Sequence, residues 1–307
     1  KEYLYYYLMA DTVSIKQVGH GVSMLHVTKE GMEQRLIAIP PFAEQCQIVK
    51  KIKTLFPLIE QYNFTETKLT SLNEFFPDLL KKSILQQAVM GKLIPQDEND
   101  EPASVLLERI RAEKQKLIAE GKIKKDKNES VIFRRDNSHY EKLNGIEYCI
   151  DNEIPFEIPE NWCWIRLGSL LKIESGNGLT SREMKEGNIP VYGGNGITGY
   201  HNSQNVFSET VVIGRVGYYC GSVHITPSAA WVTDNAFITT YPEKYINREY
   251  LVYTLRHMNL GKNNNATAQP VVSGKKIYPL LFPLPPLAEQ VRIVEKLNNA
   301  LKTTEKL

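Results

Sequence analysis

Two stretches of this sequence are near copies of each other. Residues 36–52 read LIAIPPFAEQCQIVKKI, and residues 281–297 read LFPLPPLAEQVRIVEKL. Pro40-Pro41, Ala43-Glu44-Gln45 and Ile48-Val49 return as Pro285-Pro286, Ala288-Glu289-Gln290 and Ile293-Val294, at an offset of 245 positions, as from Glu44 to Glu289. Upstream, Glu2-Tyr3-Leu4 matches Glu249-Tyr250-Leu251. A repeat of this period in 307 residues leaves one full copy and two partial ends, which constrains the fold more than any single motif.

Each Pro-Pro opens a helix, because the first helical turn has no partner for the N–H that proline lacks. Behind it, apolar residues recur in steps of three and four. The first copy gives Phe42, Cys46, Val49, Ile52 and Phe56, and the second gives Leu287, Val291, Val294, Leu297 and Leu301. That spacing is a coiled-coil-like stripe. Pro57 is expected to bend or break the first helix, which resumes through Leu58, Ile59 and Tyr62. Leu69, Leu72, Phe76, Leu79, Leu80 and Ile84 extend the stripe to Gly91. A further helix over Val105–Leu117 is expected, capped by Ser104 and ending in the basic run Lys122–Lys127.

From about residue 146 the texture changes to short strands and glycine turns. Trp162–Leu167 and Thr210–Ile213 read as strands. Gly176-Asn177-Gly178, Gly193-Gly194-Asn195-Gly196 and Gly214–Gly217 read as turns, and a helix is expected near 247–260. The expected organisation is therefore the tail of a first α/β domain over 1–40, a helical spacer over 41–122 and a polar linker over 123–145. A second α/β domain follows over 146–284, with the start of a second helix over 285–307.

Composition narrows the function classes. Lys+Arg 37 against Asp+Glu 35 leaves +2, which excludes a polycation but not a nucleic-acid binder with a local basic face. Cys46, Cys149, Cys163 and Cys220 form no CxxC pair, so neither a zinc ribbon nor a disulfide framework is indicated, and a reducing cytoplasm fits. No apolar run approaches the ~20 residues of a membrane helix. The start at Lys1 has no signal-peptide pattern and reads as the interior of a domain.

Tempting catalytic motifs fail on chemistry. Ile39-Pro40-Pro41-Phe42 and Leu284-Pro285-Pro286-Leu287 echo an amino-methyltransferase loop, but Ile39 and Leu284 cannot accept a hydrogen bond from an amino group. Gly91-Lys92-Leu93 and Gly274-Lys275-Lys276 lack the rest of a phosphate-binding loop. Pro77-Asp78 with Glu120-Gly121-Lys122 falls in helical sequence, not on the adjacent strands of a nuclease site. The six histidines show no ligand spacing, so no metal site and no covalent chemistry are expected.

With its repeated PP(F/L)AEQ helix entry, the chain resembles the specificity subunits of type I restriction–modification systems. Ser83–Leu93 resembles the far end of their conserved helix. Ile189–His201, followed by Val212-Ile213-Gly214-Arg215, resembles their target-recognition domains. The resemblance implies an α+β chain in which α/β target-recognition domains are joined by long antiparallel, coiled-coil-like helices. It implies a non-catalytic reader of a bipartite site in double-stranded DNA, with modification (methyltransferase) and restriction subunits as partners. S-adenosylmethionine, ATP and Mg²⁺ would belong to those partners, and a naturally short form would restore two reading heads as a homodimer. The specificity region of a fused restriction–methylation enzyme and a coiled-coil assembly module without base readout are the competing readings.

Within the recognition domain, Arg182, Arg215, Lys275 and Lys276 are candidates for phosphate or guanine contacts. Asn195, Gln204 and Gln269 are candidates for adenine edges, and Tyr200 for stacking. The resemblance also implies that partner subunits dock on the helical stripe, at Phe42, Val49, Ile52, Leu72, Leu79, Leu287, Val294 and Leu297. A spacer helix of ~25–30 residues spans roughly 40–45 Å, slightly more than one DNA turn. One heptad inserted within 58–75 should therefore lengthen the preferred gap between half-sites in a methylation assay. An unchanged gap refutes the helix as the ruler.

Overall fold

The computed structural model describes residues 1–17, 28–122, 130–261 and 270–304. Contacts divide the chain into two units, Lys1–Phe76 and Pro77–Leu307.

The first unit contains α1 (Glu2–Ala10), α2 (Thr12–Gln17), α3 (Lys29–Glu33) and the beginning of α4 (Phe42–Val89). Thr28 caps α3 by accepting from the Gly31 N–H. Tyr3 donates its hydroxyl proton to the Ala38 carbonyl at 2.8 Å, Glu2 pairs with Lys53, and the Tyr6 ring meets Phe56 edge to face at 5.5 Å. The Gln45 amide donates to the Pro40 carbonyl at 2.9 Å, closing the turn that opens α4.

α4 is helical through both Pro57 and Pro77, so the break expected at Pro57 does not occur. Each proline removes one backbone hydrogen bond. The carbonyls so freed, four residues back at Lys53 and Asn73, belong to exposed residues that water can reach.

The second unit continues α4 and adds α5 (Ala103–Ala119), then β1 (Ser130–Arg135), β2 (Ser138–Leu143), β3 (Ile146–Cys149), β4 (Cys163–Arg166), α6 (Leu167–Leu170) and β5 (Lys172–Ser175). β6 (Ile189–Gly193), β7 (Gly196–His201), β8 (Val211–Gly214), β9 (Val223–Ile225), β10 (Trp231–Val232) and β11 (Ala236–Thr240) follow. The unit closes with α7 (Arg248–Met258), α8 (Gly274–Ile277), β12 (Leu281–Leu284) and α9 (Leu287–Thr304). Strand orders are β1-β2-β3, β10-β6-β7, β5-β11-β8-β9 and β12-β4, antiparallel except where β10 meets β6. This mixture of helices and small sheets is the α+β class expected.

Three boundaries differ from the expectation. The stretch read as a linker over 123–145 carries β1 and β2; its residues 123–129 lie outside the described set. The hairpin turns at Asp136-Asn137 and Asn144-Gly145 explain this, since all four residues have positive φ, the geometry of tight turns between twisted strands. α5 begins at Ala103 with Pro102 as its cap rather than Ser104, and the buried Ala103 N–H donates to the Asn161 carbonyl at 2.9 Å. Leu106 and Ile110 of α5 and Ile293 and Leu297 of α9 share one core with Leu167, Ile213, Leu251 and Phe282. The limits expected at 122 and 284 therefore pass through a single core.

The sequence repeat is also a repeat of contacts. In the second unit Tyr250 donates to the Pro283 carbonyl at 2.9 Å, Asn298 donates to Glu249 at 2.9 Å, and Gln290 donates to the Pro285 carbonyl at 3.1 Å. These are the counterparts of Tyr3, Lys53–Glu2 and Gln45. The copies differ at the glutamate. Glu289 is fully buried, accepting from the Trp162 indole at 2.8 Å and from the Gln96 amide at 2.7 Å. Glu44 is exposed. β12 is buried along its length against β4, whereas its counterparts Leu36 and Ile39 are exposed outside any strand.

This asymmetry yields a stability prediction. Glu289→Ala leaves a buried indole N–H without an acceptor, and is expected to destabilise by about 2–4 kcal/mol. Glu44→Ala should leave chemical denaturation nearly unchanged. Burial holds the Glu289 carboxyl above its ordinary value of 4.5. Its protonation therefore favours the fold below that value, and the contribution is lost as pH rises through the folded pKa. Glu289→Gln, a permanently neutral mimic, should accordingly gain on the wild type between pH 4 and pH 8 in parallel unfolding titrations.

Candidate nucleic-acid interface

β6 and β7 form a hairpin whose turn is Gly194-Asn195, and the left-handed residue that closes it is Gly196, at φ +83°. The turn lies backbone to backbone on the start of the loop after β8. A Cβ at Gly194 would stand 2.0 Å from the Val216 carbonyl oxygen, and one at Gly214 would stand 2.1 Å from the Gly194 oxygen. Ser222 adds a bond from its hydroxyl to the Gly194 carbonyl at 3.2 Å.

Arg215 holds three segments to this junction. Its N–H donates to the Asn235 carbonyl at 2.8 Å, and its carbonyl accepts from Val272 at 2.9 Å. Its guanidinium lies over the Phe237 ring, 5.5 Å from the centroid, and reaches Ser175 and the Asp234 carbonyl at 3.4 Å. Val216 bridges to Val271, whose carbonyl accepts from the Lys276 ammonium at 3.0 Å. Asn195, Arg215 and Lys276 thus stand on mutually bonded segments. Lys275 is beside them on α8, and Asn195, Lys275 and Lys276 are exposed.

Arg182, Tyr200 and Gln204 sit elsewhere. Tyr200 is exposed on β7 opposite Pro190, five residues from Asn195 along the strand, about 17 Å at strand rise. Arg182 is exposed in a turn where the N–H and hydroxyl of Thr180 both donate to Glu183 at 2.8 Å, holding that carboxyl below its ordinary range. Gln204 is half-buried next to Asn205, which bonds Asn177 and both backbone groups of Val232. Gln269 lies outside the described residues.

A small cavity beside the turn is lined by Tyr192, Asn195, Gly196, Ile197, His224, Ile225 and Arg256. Burial, and secondarily the charge of Arg256, hold the His224 imidazole below its ordinary pKa. His224 sits under Gly196, where a Cβ would meet its ring at 3.0 Å. Among the described residues no group of three or more His, Cys, Asp or Glu could hold a metal, and no described helix is long and apolar enough to cross a membrane. None of the four cysteines is in a disulfide among the described residues.

The loop after β8 also presents two aromatic residues absent from the sequence-derived candidates, Tyr218 and Tyr219, both exposed. Adjacent tyrosines between Gly217 and Gly221 are the sequence signal for them. On the helices, Phe42, Leu72, Leu79 and Leu287 are exposed and Ile52 is half-buried. Val294 and Leu297 do not meet the expectation of a partner surface: they are buried in the core of their own unit and offer nothing to a partner. Val49 is likewise buried.

The loop junction predicts a sharp contrast between two glycines. Gly194→Ala drives a methyl group into the Val216 carbonyl and should cost several kcal/mol, or leave the domain poorly folded. Gly178→Ala has nothing within 4 Å of the added carbon and should melt with the wild type. Thermal denaturation of the two variants checks this.

The profile of a family described as the type I restriction modification DNA specificity domain matches residues 1–73 and 159–307. The chain is 30% identical to the type I restriction enzyme EcoAI specificity subunit of Escherichia coli, over 75% of this chain and 41% of that protein. It is 26% identical to the EcoEI specificity subunit of the same organism, over 98% of this chain and 60% of that one. It therefore spans about half the length of these relatives. A crystal structure of a type I restriction–modification S subunit from M. genitalium is similar over 99% of this chain and 67% of its own, with 16% identity and a TM-score of 0.44. With the family's profile covering both copies of the PP(F/L)AEQ helix entry and the loop junction, the chain belongs to the type I restriction–modification DNA specificity family.

Proposed function

We propose that this chain is a DNA-reading specificity subunit, or part of one, that binds double-stranded DNA at one half of a bipartite target. It directs methylation and cleavage by modification and restriction subunits and catalyses neither. The observation that carries this reading is the loop junction. It presents Asn195, Lys275 and Lys276 outward from a backbone-locked base, in a chain of the specificity family. Cations suited to phosphates and an amide suited to an adenine edge are what sequence reading in a duplex requires. Arg215 serves more as a clamp on the loops than as a contact. Arg182, Tyr200 and Gln204 would meet DNA away from the turn, toward the other end of the hairpin.

S-adenosylmethionine, ATP and Mg²⁺ belong on the partner subunits, and the assembly works in the cytoplasm. The partners dock on the exposed apolar positions of α4 and the start of α9, at Phe42, Leu72, Leu79 and Leu287. A homodimer would supply a second reading head by symmetry.

Two measurements test the reading. Methylome sequencing with and without this gene, partners expressed, should show one bipartite methylated motif lost on deletion. An unaltered methylome overturns the proposal. Lys275→Ala with Lys276→Ala should weaken binding to all duplexes about equally and reduce the slope of log K against log salt by about 2, one for each phosphate left without its cation. Weakening confined to the specific target would instead assign the lysines to base edges.

A further inference from the structure

We infer that Tyr218 and Tyr219 form a base-contacting tip that sets which sequence this domain prefers. The inference rests on the DNA-reading function proposed above and adds to it two residues absent from the candidates drawn from the sequence. Tyr218 is 86% exposed and Tyr219 57%, and their rings pack edge to face with centroids 4.9 Å apart.

The segment that carries them is firmly built. Gly221 donates to the Gly214 carbonyl at 2.7 Å, Gly214 to Ser222 at 2.8 Å, and Cys220 to Gly217 at 2.9 Å. The buried Cys220 anchors the tip from below, and the Gly217 N–H bonds the Pro270 carbonyl at 3.1 Å. Gly217 and Gly221 both have positive φ, and a Cβ at Gly221 would stand 2.4 Å from the Gly261 nitrogen. The chain therefore turns twice within five residues to hold two rings in water, where they contribute little to the core. Aromatic residues held this way are the usual anchors of a recognition surface.

Their surroundings select the occupant. Through the Val216–Val271 bridge the tip adjoins the segment leading to Lys275 and Lys276, and through Ser222 it adjoins the turn bearing Asn195. A rigid aromatic pair on a loop bonded to the segments that carry these cations and this amide matches duplex DNA. Phosphates meet the lysines, while thymine methyl groups and the faces of opened base steps meet the rings. A purely apolar protein surface would leave the lysines unmatched.

The test uses the chain co-purified with its modification subunits, titrated with a duplex containing the methylated motif and with a scrambled duplex, across a range of salt. Tyr218→Ala with Tyr219→Ala should lower the ratio of specific to non-specific affinity about tenfold or more, leaving the salt slope and the co-purified subunits unchanged. Tyr218→Phe with Tyr219→Phe should retain most of the ratio, because the rings remain. On the wild-type protein, nitration of these two tyrosines read by mass spectrometry should be suppressed by the specific duplex and less by the scrambled one. This second readout does not depend on any variant folding.

An unchanged ratio in the alanine variant, or equal nitration with and without the specific duplex, overturns the inference. Loss of the modification subunits from the alanine variant also overturns it, assigning the tip to a protein partner. If the wild type itself does not discriminate between the duplexes, the DNA-reading function fails first. If it discriminates and only the tyrosine arms fail, that function stands without this tip.

Discussion

The second unit is organised around one buried carboxylate. Glu289 lies in the first turn of α9 and accepts hydrogen bonds from Trp162, just ahead of β4, and from Gln96, just beyond α4. Three segments far apart in sequence converge on its two oxygens. The packing around it leaves little freedom: Gly91 has φ +68°, and a Cβ there would stand 2.5 Å from Pro159. Arg292, one turn along α9, binds Asp100 through both terminal nitrogens and ties the acidic turn before α5 to the same helix. A buried carboxylate is unfavourable in isolation; here two donors and a nearby cation stabilise it, and its geometry fixes where the helices enter the sheets. β12 runs into this junction and β4 leaves it, so the two-stranded sheet they form is tied to the same carboxylate.

That arrangement explains why the sequence repeat is readable and why its meaning is only half legible. Pro-Pro as a helix start, the tyrosine helix over 248–258 and the strands at 163–166 and 211–214 follow from local rules, and the structure places them there. The glutamine of the repeated Ala-Glu-Gln also acts locally, bonding the carbonyl five residues before it in both copies. The glutamate does not. Its partners lie 127 and 193 residues away, and no spacing rule reaches that far.

Other differences between sequence and structure have equally physical causes. A proline inside a helix reads as a breaker, but in α4 the exposed carbonyls four residues back tolerate the loss of their partner. Asn144-Gly145 is a strong hairpin signal masked by polar composition, and it hides β1 and β2 with it. Val294 and Leu297 continue the same stripe as Val291 and Leu301, so periodicity cannot tell which of them faces the chain's own core. For the interface, residue type suggests Arg215 as a contact. Its main chain bonds Asn235 and Val272 and its guanidinium lies over Phe237, so the same residue also fastens the loops, which residue type alone does not show.

The same fastening resolves the near-neutral charge. The scaffold's arginines are matched to carboxylates: Arg166 to Glu141 and Glu153, Arg109 to Glu101, Arg135 to Glu147, Arg248 to Glu209 and Arg292 to Asp100. By contrast, Lys275 and Arg182 are exposed and make no ion pair among the described residues. The net charge of +2 thus coexists with exposed, unpaired cations such as Lys275 on α8 and Arg182 in the turn after Thr180. Beside Lys275, the backbone-on-backbone contacts of Gly194, Gly214 and Gly221 hold the loops of the junction in one arrangement, so the exposed side chains there stand on a rigid base.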